Sequence, residues 1–416
     1  MSRAVEHDVL SGVNIRLPAG SGASISKVLL GVGVLGLAVT LVGAFTMDFR
    51  HAQASLLVAI VSVLAMCLGS MFLVMTMHLM GAGWSVTIRR QLENVMNLIH
   101  VPMGLFLIFV VLELTSAHPL TSWLDPHHTE GDVLYEAKKA YLNVPFLLVR
   151  LAVYFGLWSY LARRLWKYSL DQDASGDKWI TNRARRTSSW GMLAFALSVA
   201  FFGFDWLMAV TDYHFYSTMW GVYIFAGAAF SASALLMIVL HVLRARGVLQ
   251  GAVGEEHFHD IGKLMFAFSV FWAYIAFSQY FLIWYSNIPE ETAWYRARKM
   301  NGWEDLTLLL VVGHFILPFL VMIWRGSKRT LIGAILGVWM LAMHVLDIFW
   351  IVRPAVHVGA DVTDHIGRSG LFIDAAAIVG VGALFAALLM RRIASGPLIP
   401  LRDPRLGEAL HHKNYV

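Results

Sequence analysis

Ten apolar runs, each long enough to cross a bilayer, constrain this chain more than any other feature. They lie roughly at 27–46, 54–80, 95–114, 144–166, 190–210, 218–243, 262–286, 305–324, 330–352 and 371–390. A hydrocarbon core about 30 Å thick needs roughly 20 residues of helix. In lipid, only helices or closed barrels satisfy every backbone group, and runs this long are not barrel strands. The expected fold is an all-α integral membrane protein with about ten transmembrane helices. Composition agrees: 58% of the 416 residues are hydrophobic and 14% are charged, against about 25% charged in soluble domains.

Prolines punctuate these runs. Pro145 opens the fourth span at a first-turn position and Pro289 follows the seventh, whereas Pro102 and Pro318 fall inside spans and are expected to kink them. The first apolar run, from Lys27, lacks a small-residue cleavage site and reads as an anchor. The single cysteine, Cys67, excludes a disulfide framework, a Cys-ligated iron–sulfur cluster and Cys-rich zinc sites within the chain. The net charge of +5 comes from basic residues at span ends, which is headgroup territory and not a nucleic-acid stripe.

Lysine and arginine set the expected orientation. With the N-terminus placed on one side, that side collects 23 of the 32 basic residues, including Arg163, Arg164, Lys167, Lys178, Arg183, Arg185 and Arg186 in one loop. The other side holds eight, and Arg150 lies within a span. The richer side is assigned to the cytoplasm, so both termini are expected there. A faint repeat links helices 2–5 and 6–9: Met77-His78-Leu79 parallels Leu240-His241-Val242, and Phe204-Asp205-Trp206 parallels Leu346-Asp347-Ile348. The expected organisation is an N-terminal segment (1–26), a peripheral first helix (27–53), two four-helix bundles (54–210 and 211–352), an outer loop with a peripheral tenth helix (353–390) and a cytoplasmic tail (391–416). Loops 115–143 and 287–304 mix Trp, Tyr and acidic residues, which fits either a partner on the outer face or interfacial anchoring.

Ionisable groups inside spans are costly and are functional candidates by default. The acidic ones are Glu113, Asp205, Asp347 and Asp374, all expected in the outer half. Glu113 and Asp374 sit near the edge, where a carboxylate reaching headgroup water is the simpler reading. Arg150 is expected to neutralise Glu113 or Asp205. His344 and Asp347, three apart, share one helix face. Asp205, His314, His344, Asp347 and Asp374, with Glu113 and Arg150, are the candidates for a proton relay, because histidine titrates near neutrality; Asp205 and Asp347, at similar depth in the two bundles, fit proton half-channels. His78, His100 and His241 are candidates for an inner channel entrance, or for interfacial rings. A haem site would need two histidines at one depth; only the His314–His344 pair qualifies, and a transmembrane dihaem chain needs a second pair. His127-His128 and His257-Phe258-His259 are read as loop histidines. The seventh span is aromatic on all faces, which suits either helix packing or a flat quinone ring, with Gln279 or Tyr280 as hydrogen-bond donor.

Three stretches carry a family resemblance: His259 to Glu291, with its Phe-Ser-Val-Phe-Trp-Ala-Tyr core; Phe204-Asp-Trp-Leu-Met208; and Tyr141-Leu-Asn-Val-Pro145. They resemble the F-type membrane subunits of bacterial alternative complex III, a quinol:electron-acceptor oxidoreductase. These subunits are similar to the NrfD-like, polysulfide-reductase-type membrane subunits. The resemblance runs from the first span to the tenth. It implies two four-helix bundles, flanked by spans 1 and 10, in the bacterial inner membrane. It implies no cofactor in this chain, with iron–sulfur clusters and c-type haems on periplasmic partner subunits. It also implies a C-subunit relative beside the chain, which is expected to hold the quinol site facing the iron–sulfur subunit, and often a terminal oxidase; for this chain it leaves open a surface that contacts quinone or quinol. Two other readings stay open: an assembly scaffold and a stand-alone secondary transporter.

Overall fold

A computed structural model describes residues 9–117, 119–210, 212–300, 302–357 and 370–414. Residues 1–8 with Arg3, the part of the 353–370 loop at 358–369 with Arg368, and residues 415–416 lie outside them.

Each apolar run folds as helix because lipid leaves the backbone no other partner. Among the described residues, ten helices are long and apolar enough to span: α1 Ala23–Thr46, α2 Phe49–Leu79, α3 Gly83–Thr115, α4 Val144–Ser175, α5 Trp179–Met208, α6 Trp220–Ala245, α7 Glu255–Ser286, α8 Trp303–Met322, α9 Thr330–Val352 and α10 Leu371–Ala394. The chain is a multi-pass membrane protein. Its connections include short helices at Pro126–Thr129, Val133–Lys138 and Pro289–Arg296, and no strand occurs among the described residues.

Helix α2 is the hub, with 94% of its most apolar stretch buried against 17% for α1. It packs on α1, α3, α5, α6, α9 and α10, while α6 packs on α2, α5, α7 and α9. A Cβ on Gly69 would fall 1.9 Å from the Ala228 carbonyl oxygen, so glycine permits the close α2–α6 crossing. At the periphery α1 lies along α10, where a Cβ on Gly36 would meet Gly380 Cα at 2.6 Å.

Irregular turns mark three spans. Helix α3 breaks at Leu98 and Ile99, which puts Pro102 in the first turn of its second half instead of inside a continuous helix. The first half, Val86–Asn97, is buried from Val86 to Met96 despite Arg89, Arg90, Gln91, Glu93 and Asn94. Short π turns occur at Phe204–Met208, which closes α5, and at Val311–Ile316 in α8. The second ends just before Pro318, whose missing N–H it accommodates. The carbonyls loosened there find side-chain donors: Trp339 Nε1 donates to Gly313 O at 2.7 Å and Ser269 Oγ to His314 O at 3.2 Å.

Segments near the two ends of the described chain meet on one face, called here the terminal face. The Leu398 N–H donates to Ile15 O at 2.8 Å, and Leu249 N–H to Asn14 O at 2.8 Å. Arg89 Nη2 donates to Asp403 at 2.6 Å and Arg90 Nη2 to Asp173 at 2.7 Å, while Asp173 also accepts from Leu401 N–H at 2.7 Å. The tail and the end of α4 thus neutralise the arginines in the polar half of α3.

Candidate functional site

The carboxylate of Asp347, on α9, is 1% exposed. Its Oδ1 accepts from the Tyr223 hydroxyl on α6, and its Oδ2 from Trp272 Nε1 on α7 at 3.1 Å. Both donors are neutral. The Trp272 ring stacks on His314 at 3.7 Å, and the other face of His314 meets Phe230 at 4.2 Å. The π turn of α8 sets the His314 ring in this slot, a common use of such turns. His344 lies one turn from Asp347 and faces α6, where its Nδ1 would be 3.5 Å from a Cβ on Gly227. The ring nitrogens of His314 and His344 are buried, and among the described residues no side chain hydrogen-bonds them. Ionisable groups inside a span are costly to bury, so two imidazoles packed with a carboxylate mark this centre as a functional candidate.

A cavity of about 420 Å³ adjoins this centre. Tyr223 and Trp272 line it, as do Gln279, Tyr280, Tyr295 and Arg298. Gln279, 3% exposed, accepts from Ser217 Oγ at 2.9 Å and donates to the Tyr295 hydroxyl at 3.1 Å. The Tyr280 hydroxyl accepts from Lys299 Nζ at 2.8 Å. Burial pushes the Tyr295 hydroxyl up to about 12, so it stays a donor at neutral pH. Arg298 is buried, and among the described residues no carboxylate pairs with it. It donates to the carbonyls of Trp294, Trp350 and Ile351 at 2.7, 3.1 and 2.6 Å and lies 3.2 Å over the Trp294 ring. A guanidinium does not deprotonate in proteins, so the cavity wall carries a fixed positive charge.

Asp205 meets the opposite environment. Arg150 Nε and Nη2 donate to its two oxygens at 2.9 and 3.0 Å, and the Tyr154 hydroxyl adds a third bond at 2.9 Å. Arg150 also donates to Tyr141 O at 2.9 Å and packs 3.8 Å over the Tyr141 ring. Of the two partners expected for Arg150, it takes Asp205 and not Glu113.

Two sequence expectations need correction. Glu113 and Asp374 do not reach headgroup water; they are 1% and 3% exposed. Glu113 accepts from Gln53 Nε2 at 2.8 Å and from Thr121 N–H at 2.5 Å, because the connection after α3 folds back over it. Asp374 accepts from Ser55 Oγ at 2.5 Å, lies 3.0 Å from His51 Nε2 and is 3.4 Å from Arg353 Nε. It therefore belongs to a separate cluster, away from the partners of Asp347. The sequence reading began the second span at 54 and so missed His51 and Gln53; the i,i+4 pairing of His51 with Ser55 was the available signal. His257 also leaves the loop: it opens α7 and bonds Thr87 Oγ1 at 3.0 Å.

The three histidines proposed for an inner entrance are scattered. His100 is exposed, His78 and His241 are half-buried, and no hydrogen bond joins them. The polar residues that do converge near the terminal face are Arg89, Arg90 and Glu93, with Asp173 and Asp403. Among the described residues, no cluster of three His, Cys, Asp or Glu groups suits a metal ion. No family model matches the chain, and no curated protein matches it.

Proposed function

We propose that this chain is a membrane subunit of a respiratory quinol:electron-acceptor oxidoreductase of the alternative complex III type, in which Asp347 handles the proton. The observation that carries this reading is the contrast between its two in-span aspartates. Asp205 is neutralised by a bidentate guanidinium, so protonating it would strand a buried cation. Asp347 has only a phenol and an indole for partners, so gaining a proton removes a buried charge. Its donors also wall the cavity, which gives a flat ring a direct hydrogen-bonded path to the carboxylate. Oxidising a quinol to a quinone releases two electrons and two protons. In this reading Gln279, Tyr280 and Tyr295 face the ring, and Asp347 passes a proton on with His344 of α9 and His314 of α8. The electrons go to iron–sulfur clusters and c-type haems on periplasmic partner subunits, with a C-subunit relative and a terminal oxidase nearby.

The packing α2–α3–α4–α5 and α6–α7–α8–α9, joined through α2 and α6, supports two four-helix bundles with α1 and α10 outside. The lysine and arginine excess supports placing the terminal face in the cytoplasm of a bacterium, with both termini inside. A scaffold role fits the first bundle, whose Arg150–Asp205 pair is closed on itself.

The test is quinol oxidation and proton release by the purified complex in liposomes, wild type against Asp347→Asn. Loss of proton release with electron transfer retained is the expected result. Unchanged proton release would remove Asp347 from the path and leave the scaffold reading.

A further inference from the structure

On the lipid-facing side of α4, a groove of about 490 Å³ is lined by Gly156, Ser159, Tyr160, Arg163, Arg164 and Lys167. These positions recur at helical spacing and form one stripe. Nothing approaches the place where a Gly156 Cβ would stand, so the glycine leaves a dent open to lipid. The Tyr160 ring meets Trp190 of α5 at 5.9 Å and walls the groove on that side.

The charges of the stripe are not spent within the protein. Arg163 and Lys167 are exposed, and among the described residues no carboxylate pairs with either. Arg164 donates only to the neutral Tyr168 hydroxyl, at 2.9 Å. The antiparallel register of α4 and α5, fixed by Tyr160–Trp190 and by the Gln172–Thr181 bond at 2.7 Å, sets exposed Arg186 at a similar level.

Depth matches a lipid. From Val144 to Arg163 the helix rises about 28 Å at 1.5 Å per residue, close to the thickness of the hydrocarbon core. The cations therefore stand at headgroup level, and Gly156 lies about 10 Å deeper, among acyl chains.

We infer that this groove binds one anionic phospholipid. Its phosphate sits on Arg163, Arg164 and Lys167, and an acyl chain runs through the dent over Gly156 and Ser159. Basic span ends attract anionic leaflets in general; what makes this a site is that the dent and the cations share one stripe. The inference does not depend on the role of Asp347.

The test uses the full-length protein in phosphatidylcholine bilayers containing a minor fraction of phosphatidylglycerol, with retained lipid read by native mass spectrometry. Retention is expected to fall about fivefold for each cation removed in Arg163→Gln and Lys167→Gln. It is also expected to fall in Gly156→Leu, which fills the dent and leaves every charge. Because these side chains are exposed, the unfolding midpoint in pure phosphatidylcholine should match wild type. Two results overturn the proposal. One is full retention in Gly156→Leu with loss only in the charge variants, which means diffuse surface attraction. The other is complete displacement of the lipid by inorganic phosphate, which means an ion site alone.

Discussion

An aspartate buried against a guanidinium and one buried against a phenol and an indole respond differently to losing their charge. Arg150→Met leaves Asp205 uncompensated, so it should lower stability by ~3–5 kcal/mol, whereas Arg150→Met combined with Asp205→Leu should recover much of that loss. Unfolding midpoints in detergent check both. Asp347→Asn keeps an acceptor for Tyr223 or Trp272 and removes a buried charge, so stability should hold or rise. Quinol-coupled proton release should nevertheless drop by ~10²-fold or more if Asp347 is the acid–base group, read in proteoliposomes of the whole complex. The sequence located all four acidic residues and Arg150 correctly as in-span groups. It could not choose the partner of Arg150, because depth along a helix is readable from position but azimuth among ten helices is not. For the same reason it read Glu113 and Asp374 as edge carboxylates; their covers come from Thr121, His51 and Arg353, which are distant or lie outside the apolar runs.

Among the elements, the ten spanning helices were legible, since apolar length is what a bilayer demands, but their polar ends were not: α4 continues to Ser175, and α5 and α7 begin at Trp179 and Glu255, ahead of their apolar runs. The same holds for the first half of α3. Its polar residues read as a loop, yet Val86, Leu92 and Val95 keep it in the interior, where tail carboxylates and carbonyls satisfy the rest. The α2–α6 crossing depends on Gly69. Gly69→Ala should force these helices apart and cost ~1–3 kcal/mol, seen as a lower unfolding midpoint. The connection between α3 and α4 is held by a different device. Asp132 accepts from the Tyr213 hydroxyl at 2.5 Å and lies 2.7 Å from His214 Nε2, and the Tyr213 bond holds its carboxyl down at about 2. A depressed carboxyl stabilises the fold above its ordinary value near 3.8, and this contribution fades as pH falls toward 2. At neutral pH, Asp132→Asn should therefore speed proteolysis between α3 and α4, whereas in wild type the same loosening should appear only under strong acid.

For the whole molecule, the orientation proposal has a convenient probe. Cys67 is the only cysteine and is fully buried, so the native chain gives little background to a membrane-impermeant maleimide. Asp177→Cys, in the connection between α4 and α5, should label only when reagent reaches the cytoplasm; labelling of intact cells from outside would invert the topology. The α1–α10 contact has another consequence, for how the chain is made. Ser26 donates to the Ala387 carbonyl at 3.1 Å across a separation of 361 residues, and Gly36 meets Gly380. At ribosomal speeds of about 5–20 residues per second, α1 waits roughly 20–70 s in the bilayer before its partner emerges. During that interval its glycine-lined face is open to quality-control proteases. A nascent chain stalled before α10 would present the degradation signal of an orphan helix, so α10 certifies α1.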